Sequence, residues 1–209
     1  LYPLACLSTH GLMVSYVSFH GFAVVRVSSR YFKIKNPITM TLPQTPGPIG
    51  IFDSGYGGLT ILQGIRQLLP QYDYVYLGDN ARAPYGSRSF DVVYQFTRQA
   101  VVKLFEMGCH LVILGCNTAS AKALRTIQQT DLPLIDPARR VLGVIRPTAE
   151  IVGNLTRSRH VGILATEGTI RSHSYALEIK KLSPDITVTG VACPLWVPII
   201  ENNEAGTPG

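Results

Sequence analysis

Three adjacent residues offer a thiol, an amide and a hydroxyl directly after an apolar run: Cys116, Asn117 and Thr118. They lie in the segment LVILGCNTAS, residues 111–120, which is typical of a buried strand that leads into a helix. The free backbone N–H groups and the dipole at a helix start favour the thiolate form of a cysteine. The same N–H groups, together with the amide and the hydroxyl, are able to bind a carboxylate. One interpretation of the segment is therefore a reactive thiol beside a carboxylate site.

A purely structural interpretation of the same residues stays open. A cysteine at the end of a strand is commonly a small buried apolar residue, and Asn and Thr are common helix-capping residues. Gly115 favours the chemical interpretation of Cys116, because a glycine at this point lets a ligand approach the backbone. The segment alone does not decide between a binding site and a helix cap.

A carboxylate and a hydroxyl, Asp53 and Ser54, follow another apolar run and precede a turn that is rich in glycine. The turn has the pattern Asp-Ser-Gly-x-Gly-Gly, which matches neither a Gly-x-Gly-x-x-Gly fingerprint nor a Gly-Lys-Ser/Thr loop, so a nucleotide ligand is not expected. The carboxylate would repel a phosphate. It suits a ligand with an ammonium group or a role in proton transfer. The alternative for Asp53 is a helix cap.

Apolar strands that alternate with amphipathic helices are expected to position these residues. Strands are predicted at 48–53, 72–78, 110–115, 160–165 and 185–193. Helices are predicted, from apolar residues at helical spacing, at 58–70, 89–107, 118–130, 147–155 and 168–182. This alternation indicates an α/β protein with a mainly parallel sheet that is covered on both faces.

Polar residues follow the ends of the predicted strands. Besides the two groups already named, Asp79 follows the second strand, and Thr166 follows the strand at 160–165. Tyr85 and Gly86 come soon after Asp79 in a Pro-Tyr-Gly turn, which ordinary turn chemistry also explains. Ligands of open parallel sheets bind beyond the carboxyl ends of the strands. We therefore expect these groups to converge on one site.

The charge distribution argues against nucleic-acid binding. The net charge is +6, but residues 1–46 hold four basic residues and no acidic residue, and the rest of the chain holds 15 basic and 13 acidic residues. The body of the chain is therefore nearly neutral. It lacks the clustered Lys/Arg face that phosphate binding requires, so no nucleic-acid partner is expected.

The cysteines predict neither disulfides nor a metal site. None of the four, Cys6, Cys109, Cys116 and Cys193, lies in a Cys-x-x-Cys pair, and neither zinc-finger spacing nor His-Glu-x-x-His occurs. A chain of this size and apolar content does not need disulfides for its stability. We expect reduced thiols in a cytoplasmic protein, and no bound metal.

Residues 1–46 form a leader that differs from the rest of the chain. The leader has no acidic residue and no clean helical or strand periodicity. A membrane-spanning helix is not expected, because Gly, Ser and His interrupt the apolar run, and a secretory signal would need a basic start. A transit peptide stays an alternative. We expect the leader to be unfolded or outside the native domain, and we expect no membrane partner.

Five segments of the chain resemble the glutamate racemases of the aspartate/glutamate racemase superfamily. They occur in the family's order between about residues 48 and 201 and read GIFDSGYGGLT, YLGDNARAPYG, GCNTAS, ILATEGTI and ACPLWVPIIE. The resemblance implies two similar parallel-sheet lobes that face each other across a cleft, here residues 47–140 and 141–209, with the second lobe incomplete. It also implies interconversion of L- and D-glutamate without a cofactor, in the cytoplasm, to supply D-glutamate for peptidoglycan. A homodimer is compatible with it.

The resemblance also implies roles for individual residues. In this family two cysteines flank the α-carbon of glutamate, one from each lobe; one thiolate removes the α-proton and the other thiol returns a proton to the opposite face. By this resemblance Cys116 is the thiol of the first lobe, and Asp53 assists proton transfer or holds the substrate ammonium group. The residues implied to bind the amino acid, together with Asp53, are Ser54, Tyr85, Gly86, Asn117 and Thr118.

The second cysteine of the family has no counterpart in this sequence. In the family it lies in a Gly-Cys-Thr-His segment downstream of the Ala-Cys-Pro segment, and Cys193 matches the Ala-Cys-Pro segment. We therefore expect the chain to be a truncated fragment that is itself inactive. Two alternatives stay open: an aspartate or other amino-acid racemase of the same superfamily, and a non-catalytic ligand-binding lobe.

Overall fold

The computed structural model describes residues 13–19, 22–28, 47–204 and 206. Its strands are β1 (Met13–Phe19), β2 (Phe22–Ser28), β3 (Ile49–Asp53), β4 (Tyr74–Gly78), β5 (Leu111–Leu114), β6 (Arg140–Gly143), β7 (His160–Ala165) and β8 (Thr187–Ala192). Its α-helices are α1 (Gly58–Leu68), α2 (Phe90–Glu106), α3 (Asn117–Lys122), α4 (Leu124–Thr126), α5 (Leu132–Ile135), α6 (Ile145–Leu155), α7 (Glu167–Arg171), α8 (Ser174–Leu182) and α9 (Trp196–Glu201). A 3-10 turn at Asn80–Arg82 and a π-helical turn at Ile127–Asp131 complete the regular elements.

The first sheet has six strands in the order β1-β2-β4-β3-β5-β6. Strands β3 to β6 run parallel to one another, and β2 runs antiparallel to β4. Every residue of β3 and β4 is buried. Strands that are covered on both faces have no solvent-facing positions, which explains why these two read as unbroken apolar runs in the sequence.

Helices cover both faces of the first sheet. On one face, Leu62 of α1 packs in a cluster with Ile51 of β3. On the other face, Val93 of α2 and Ala119 of α3 belong to the cluster that includes Phe52 of β3. Each such fully buried Leu, Ile or Phe side chain contributes about 1.5–3 kcal/mol through the removal of apolar surface from water. The predicted α/β architecture with a mainly parallel, covered sheet is confirmed.

The second sheet contains two parallel strands, β7 and β8. One face is covered by α6 and α8, where Ala149, Ile179 and Ile186 are buried. On the other face, the register partners Leu164 and Val191 are 56% and 51% exposed. Within the described residues β8 is therefore an edge strand with an open apolar face.

The structure differs from the predicted elements in the region after Cys116. The single helix predicted at 118–130 is divided into α3, α4 and the π-helical turn. Strand β6 has no counterpart in the prediction, because Val141 is its one buried residue and the pattern is too short to show a period. The helix predicted at 168–182 is divided into α7 and α8, since His173 adopts a φ of 54° between them.

Two features bear on the predicted domain boundaries. The first sheet continues through β6 to Gly143, just past the boundary placed at residue 140, and the division into lobes at 47–140 and 141–209 stays a prediction. Within the leader, the backbone of β1 and β2 forms an antiparallel hairpin whose second strand pairs with β4. That residues 1–46 lie outside the native domain also stays a prediction, and Cys6 lies outside the described residues.

None of the helices in the described ranges is long and apolar enough to cross a lipid bilayer.

Candidate active site

A cleft of about 630 Å³ lies where β3 and β5 end, between the two sheets. The parallel register brings these ends together, because Asp53 pairs with Gly78 of β4 and Phe52 pairs with Leu114 of β5. The residues that the resemblance marks for the site all line this one cleft: Asp53, Ser54, Tyr85, Gly86, Cys116, Asn117 and Thr118. Asp79, which is also expected to converge here, does not line the cleft and instead accepts a hydrogen bond from Tyr85. The opposite wall comes from the second half of the chain and includes Thr148, Thr166, Tyr175, Cys193 and Glu201. The roles of these residues stay predictions.

Cys116 lies between β5 and α3 and is 7% exposed. Its Sγ accepts a hydrogen bond from the backbone N–H of Ala119 at 3.4 Å and lies 3.2 Å from the Oγ of Ser54. Burial raises the pKa of the Cys116 thiol, the Asp53 carboxylate raises it further, and the hydrogen bonds from Ser54 and Ala119 oppose both effects. The balance is a raised pKa, so the thiol keeps its proton at neutral pH. Burial thus outweighs the helix start, from which the sequence indicated a thiolate.

Asp53 ends β3 and is 6% exposed. Its Oδ2 accepts hydrogen bonds from the backbone N–H groups of Gly55 at 3.1 Å and Gly58 at 3.0 Å, so it caps the start of α1. Both of these hydrogen bonds use Oδ2, and Asp53 also lines the cleft. The carboxylate is therefore able to hold α1 with one oxygen and to act on a ligand with the other.

Glu201, at the end of α9, brings a second carboxylate to Asp53, and the sequence reasoning assigned it no role. A methyl group placed on Gly55 would lie 2.5 Å from Glu201 Oε1, which shows how closely this carboxylate approaches the turn after β3. Partial burial raises the pKa of Glu201, and the charge of Asp53 raises it further. The available signal was the position of Glu201 as the last residue of ACPLWVPIIE.

Asn117 and Thr118 connect the two halves of the cleft. The Asn117 side chain is exposed, and its Oδ1 accepts a hydrogen bond from the Tyr175 hydroxyl of α8 at 2.6 Å. Thr118 is 4% exposed, and its Oγ1 lies 2.9 Å from Thr166 Oγ1 and 3.5 Å from Thr169 Oγ1. The Thr118 hydroxyl is thus engaged with the second half of the chain, whereas the Asn117 amide nitrogen faces no such partner among the described residues.

Tyr85 and Gly86 line the cleft, Tyr85 with its aromatic ring and Gly86 with its backbone. The buried hydroxyl of Tyr85 donates a hydrogen bond to Asp79 Oδ2. Burial and this hydrogen bond raise the pKa of Tyr85, so it stays a neutral hydroxyl that is already engaged. The carbonyl of Gly86 accepts a hydrogen bond from the N–H of Gly168 at 2.9 Å, and a Cβ at Gly86 would lie 2.9 Å from the Cβ of Thr166. Glycine is therefore required where the two halves of the chain meet.

Cys116 and Cys193 are free thiols that line the cleft. Cys193 is partly exposed, and its Sγ lies 3.8 Å from the carbonyl oxygen of Val191 on the preceding strand. No cluster of three or more His, Cys, Asp or Glu side chains suited to a metal ion occurs in the described ranges. The chemistry that the cleft offers is proton transfer by thiols and carboxylates, with amide and hydroxyl groups available for a polar ligand.

Comparison with known proteins gives consistent relatives. No protein-family model matches the chain. The chain is 47% identical over 154 residues to a glutamate racemase of Geobacter metallireducens; the match covers 73% of this chain and 54% of that relative. It is 45% identical over 154 residues to a glutamate racemase of Staphylococcus carnosus; the match covers 74% of this chain and 56% of that relative.

Two solved structures show the same fold. The glutamate racemase of Francisella tularensis, crystallised in complex with D-glutamate, superposes with a TM-score of 0.69 and 40% identity, over 78% of this chain and 58% of that chain. The glutamate racemase of Bacillus anthracis superposes with a TM-score of 0.70 and 34% identity, over 76% of this chain and 57% of that chain. The chain therefore spans a little more than half the length of these relatives.

Proposed function

We propose that the chain is part of a glutamate racemase, an enzyme that interconverts L- and D-glutamate; the glutamate racemases that match about three quarters of the chain support this proposal. The observation that carries the proposal is the buried thiol of Cys116, which shares one cleft with the Asp53 carboxylate and lies against the Ser54 hydroxyl. The related Francisella protein holds D-glutamate, which supports glutamate over aspartate or another amino acid.

The first step is removal of the α-proton of glutamate by the Cys116 sulfur. A C–H bond beside a carboxylate is a very weak acid, so the base has to be aimed and shielded from water. The burial that raises the pKa of the Cys116 thiol also makes the thiolate a stronger base once it forms. Asp53 is the group that we assign to take the thiol proton or to hold the substrate ammonium, through the Oδ1 that does not cap α1.

The amino acid is bound by the polar groups around Cys116. We assign the Asn117 amide to the carboxylate of the substrate. We assign the Ser54 hydroxyl to the thiol of Cys116, from which it lies 3.2 Å. Because the Tyr85 hydroxyl is engaged by Asp79, Tyr85 and Gly86 contribute the cleft wall and its backbone. Thr118 contributes by joining the two halves of the cleft.

Return of a proton to the opposite face requires a second thiol. We assign this role to a cysteine other than Cys193, because Cys193 matches the Ala-Cys-Pro segment of the family and its Sγ lies against the carbonyl of its own strand. A polypeptide limited to these 209 residues should then not convert one glutamate isomer into the other. Conversion by such a polypeptide would make Cys193 the second thiol.

The proposed reaction uses no cofactor, since the thiols supply both proton-transfer groups. Its cellular role would be to provide D-glutamate for peptidoglycan, in the cytoplasm, where thiols stay reduced.

The test compares two cysteine variants in the shortest polypeptide that contains these residues and interconverts the glutamate isomers, hereafter the racemising polypeptide. Cys116→Ser should abolish conversion in both directions with an unchanged melting temperature, because a hydroxyl is too weak a base at neutral pH. Cys109→Ala is the matched control, since Cys109 is fully buried and does not line the cleft. Circular dichroism of glutamate follows the conversion. Undiminished conversion by Cys116→Ser would reject the role of Cys116, whereas the absence of any converting polypeptide would reject the proposed function and favour a binding lobe.

A further inference from the structure

A hydrogen bond between the two halves of the chain controls one polar group of the cleft. The Tyr175 hydroxyl, on α8, donates to Asn117 Oδ1 at 2.6 Å, and both side chains line the cleft. The two residues are 58 positions apart in the sequence, and Asn117 directly follows the thiol of Cys116. Tyr175 therefore acts on the immediate neighbour of the reacting group without being part of its loop.

The hydrogen bond determines what the Asn117 side chain can offer to a ligand. An amide side chain has one acceptor oxygen and a nitrogen with two N–H donors, and the hydrogen-bond network decides which end points where. With Oδ1 occupied by Tyr175, the amide nitrogen is the end left for a ligand, and it makes no hydrogen bond with the described residues. A donor attracts a carboxylate, whereas an amide oxygen in the same place would repel it.

The Tyr175 hydroxyl keeps the proton that it donates to Asn117 Oδ1. Burial raises the pKa of Tyr175, and a hydrogen bond with Thr148 of α6 offsets part of that effect. The group is therefore a neutral hydroxyl with a proton to donate throughout the neutral range. Thr148 also lines the cleft, and its hydroxyl donates to the carbonyl of Val144 at 3.1 Å.

We propose that Tyr175 is a positioning residue that holds the Asn117 amide with its N–H donors toward the cleft, and that it thereby favours a substrate with a carboxylate at this point. The inference rests on the proposed function, because it names how a residue of the second half of the chain prepares the site for the amino acid. Tyr175 acts through Asn117 and not on the reacting atoms.

A double-mutant cycle in the racemising polypeptide tests the proposal. Tyr175→Phe should raise the KM for L-glutamate about fivefold and leave kcat within about twofold, since one neutral hydrogen bond that fixes a donor is lost. Asn117→Ala should raise KM as well. In the Asn117→Ala background, Tyr175→Phe should have no further effect on KM. Tyr94→Phe is the matched control, because it removes a hydroxyl that donates to Asp131 at 2.9 Å and does not line the cleft.

Each outcome of the cycle has a distinct meaning. The same KM increase from Tyr175→Phe with and without Asn117 would overturn the proposal, and so would an effect on kcat alone or an equal effect of Tyr94→Phe. Failure of the wild type to bind or convert glutamate would reject the proposed function instead. Asn117→Asp covers the case in which Tyr175→Phe does not fold. With Tyr175 holding one carboxylate oxygen, the other would face the substrate carboxylate, so KM should rise above that of Asn117→Ala; an equal or lower KM would overturn the proposal.

Discussion

Replacement of Asp53 by Asn separates the structural from the chemical role of this carboxylate. In the wild type, Asp53 Oδ2 accepts the N–H groups of Gly55 and Gly58 at 3.1 and 3.0 Å. The amide oxygen of Asn can accept the same two hydrogen bonds, because Asn is nearly isosteric with Asp and caps helices equally well. What is lost is a negative charge at the start of α1, which is worth about 0.3–1 kcal/mol. The free energy of unfolding should therefore fall by no more than about 1 kcal/mol.

The expected effect on catalysis is much larger than the effect on stability. Loss of a positioned acid–base group slows a reaction by about 10²–10⁴-fold, which corresponds to about 2.7–5.4 kcal/mol in the barrier. If the Asp53 carboxylate takes part in proton transfer, Asp53→Asn should lower kcat/KM by at least about 100-fold in both directions. Urea denaturation and circular dichroism of glutamate measure the two effects on the same preparation.

The same variant should make the Cys116 thiol more acidic. After burial, the charge of Asp53 is the next cause that raises the pKa of Cys116, so removal of the charge lowers that pKa. Alkylation of Cys116 by iodoacetamide near pH 7 should then be faster in Asp53→Asn, because the thiolate is the reacting form. Mass spectrometry of the labelled peptides follows Cys116, with the partly exposed Cys193 in the same sample as the internal control.

A more reactive thiol combined with slower racemisation would show that Asp53 does more than tune the charge around Cys116. If Asp53→Asn kept the kcat/KM of the wild type, the role of Asp53 would be limited to capping helix α1. An unchanged alkylation profile of Cys116 would refute the electrostatic link between the two residues.

The remaining predictions concern the junction of the two halves, the buried thiol and the open sheet. Gly86→Ala should lower the free energy of unfolding by about 1–3 kcal/mol, because the new Cβ would lie 2.9 Å from Thr166 Cβ. Gly64→Ala, in an open position of α1, should instead raise the free energy of unfolding by about 0.5–1 kcal/mol. Urea denaturation that gave the reverse order of stability would contradict this packing. Because the pKa of Cys116 is raised in the folded state, the contribution of the protonated thiol to stability is fully present below the ordinary cysteine pKa of about 8.5 and is lost as pH rises through the folded pKa. The stability of the wild type relative to Cys116→Ser should therefore fall as pH rises above about 8.5, and a constant difference in urea denaturation would refute this prediction. Val191→Lys on the open face of β8 should increase solubility in a precipitation assay, and unchanged solubility would show that this face does not drive association.

Local patterns in the sequence predict three of the six strands of the first sheet, β3, β4 and β5, and the helices α1 and α2. Strand β3 is a clear apolar run, and helix α2 is long enough for its helical period to be clear. Both occur close to the predicted bounds. Strand β6 has a single buried residue, Val141, so its apolar pattern carries no signal. The π-helical turn that follows α4 ends at Asp131, which Tyr94 and Arg98 of α2 hold at 2.9 and 2.8 Å. Such contacts come from distant parts of the chain and leave no local pattern.

The candidate site, too, is predictable only where it depends on local patterns in the sequence. The convergence of Asp53 and Cys116 on one cleft is predictable, because parallel strands place their carboxyl ends at one edge of a sheet. The bond between Tyr175 and Asn117 and the approach of Glu201 to Asp53 are not predictable from the sequence, since they depend on how the second half of the chain packs on the first. The sequence also overestimates the thiolate character of Cys116, because burial is a property of the folded chain.

Racemisation in D₂O tests most directly whether the cleft moves a proton from one face of glutamate to the other through Cys116. The racemising polypeptide is given L-glutamate alone, the two isomers are separated by chiral chromatography before equilibrium, and proton NMR then reads the α-carbon of each. The D-glutamate that forms should carry deuterium, because the second group returns a proton drawn from solvent, while the remaining L-glutamate should keep its protium; Cys116→Ser should give neither conversion nor exchange. Deuterium in the remaining L-glutamate at the rate at which D-glutamate forms would indicate a single base, and conversion by Cys116→Ser at the wild-type rate would remove Cys116 from the reaction.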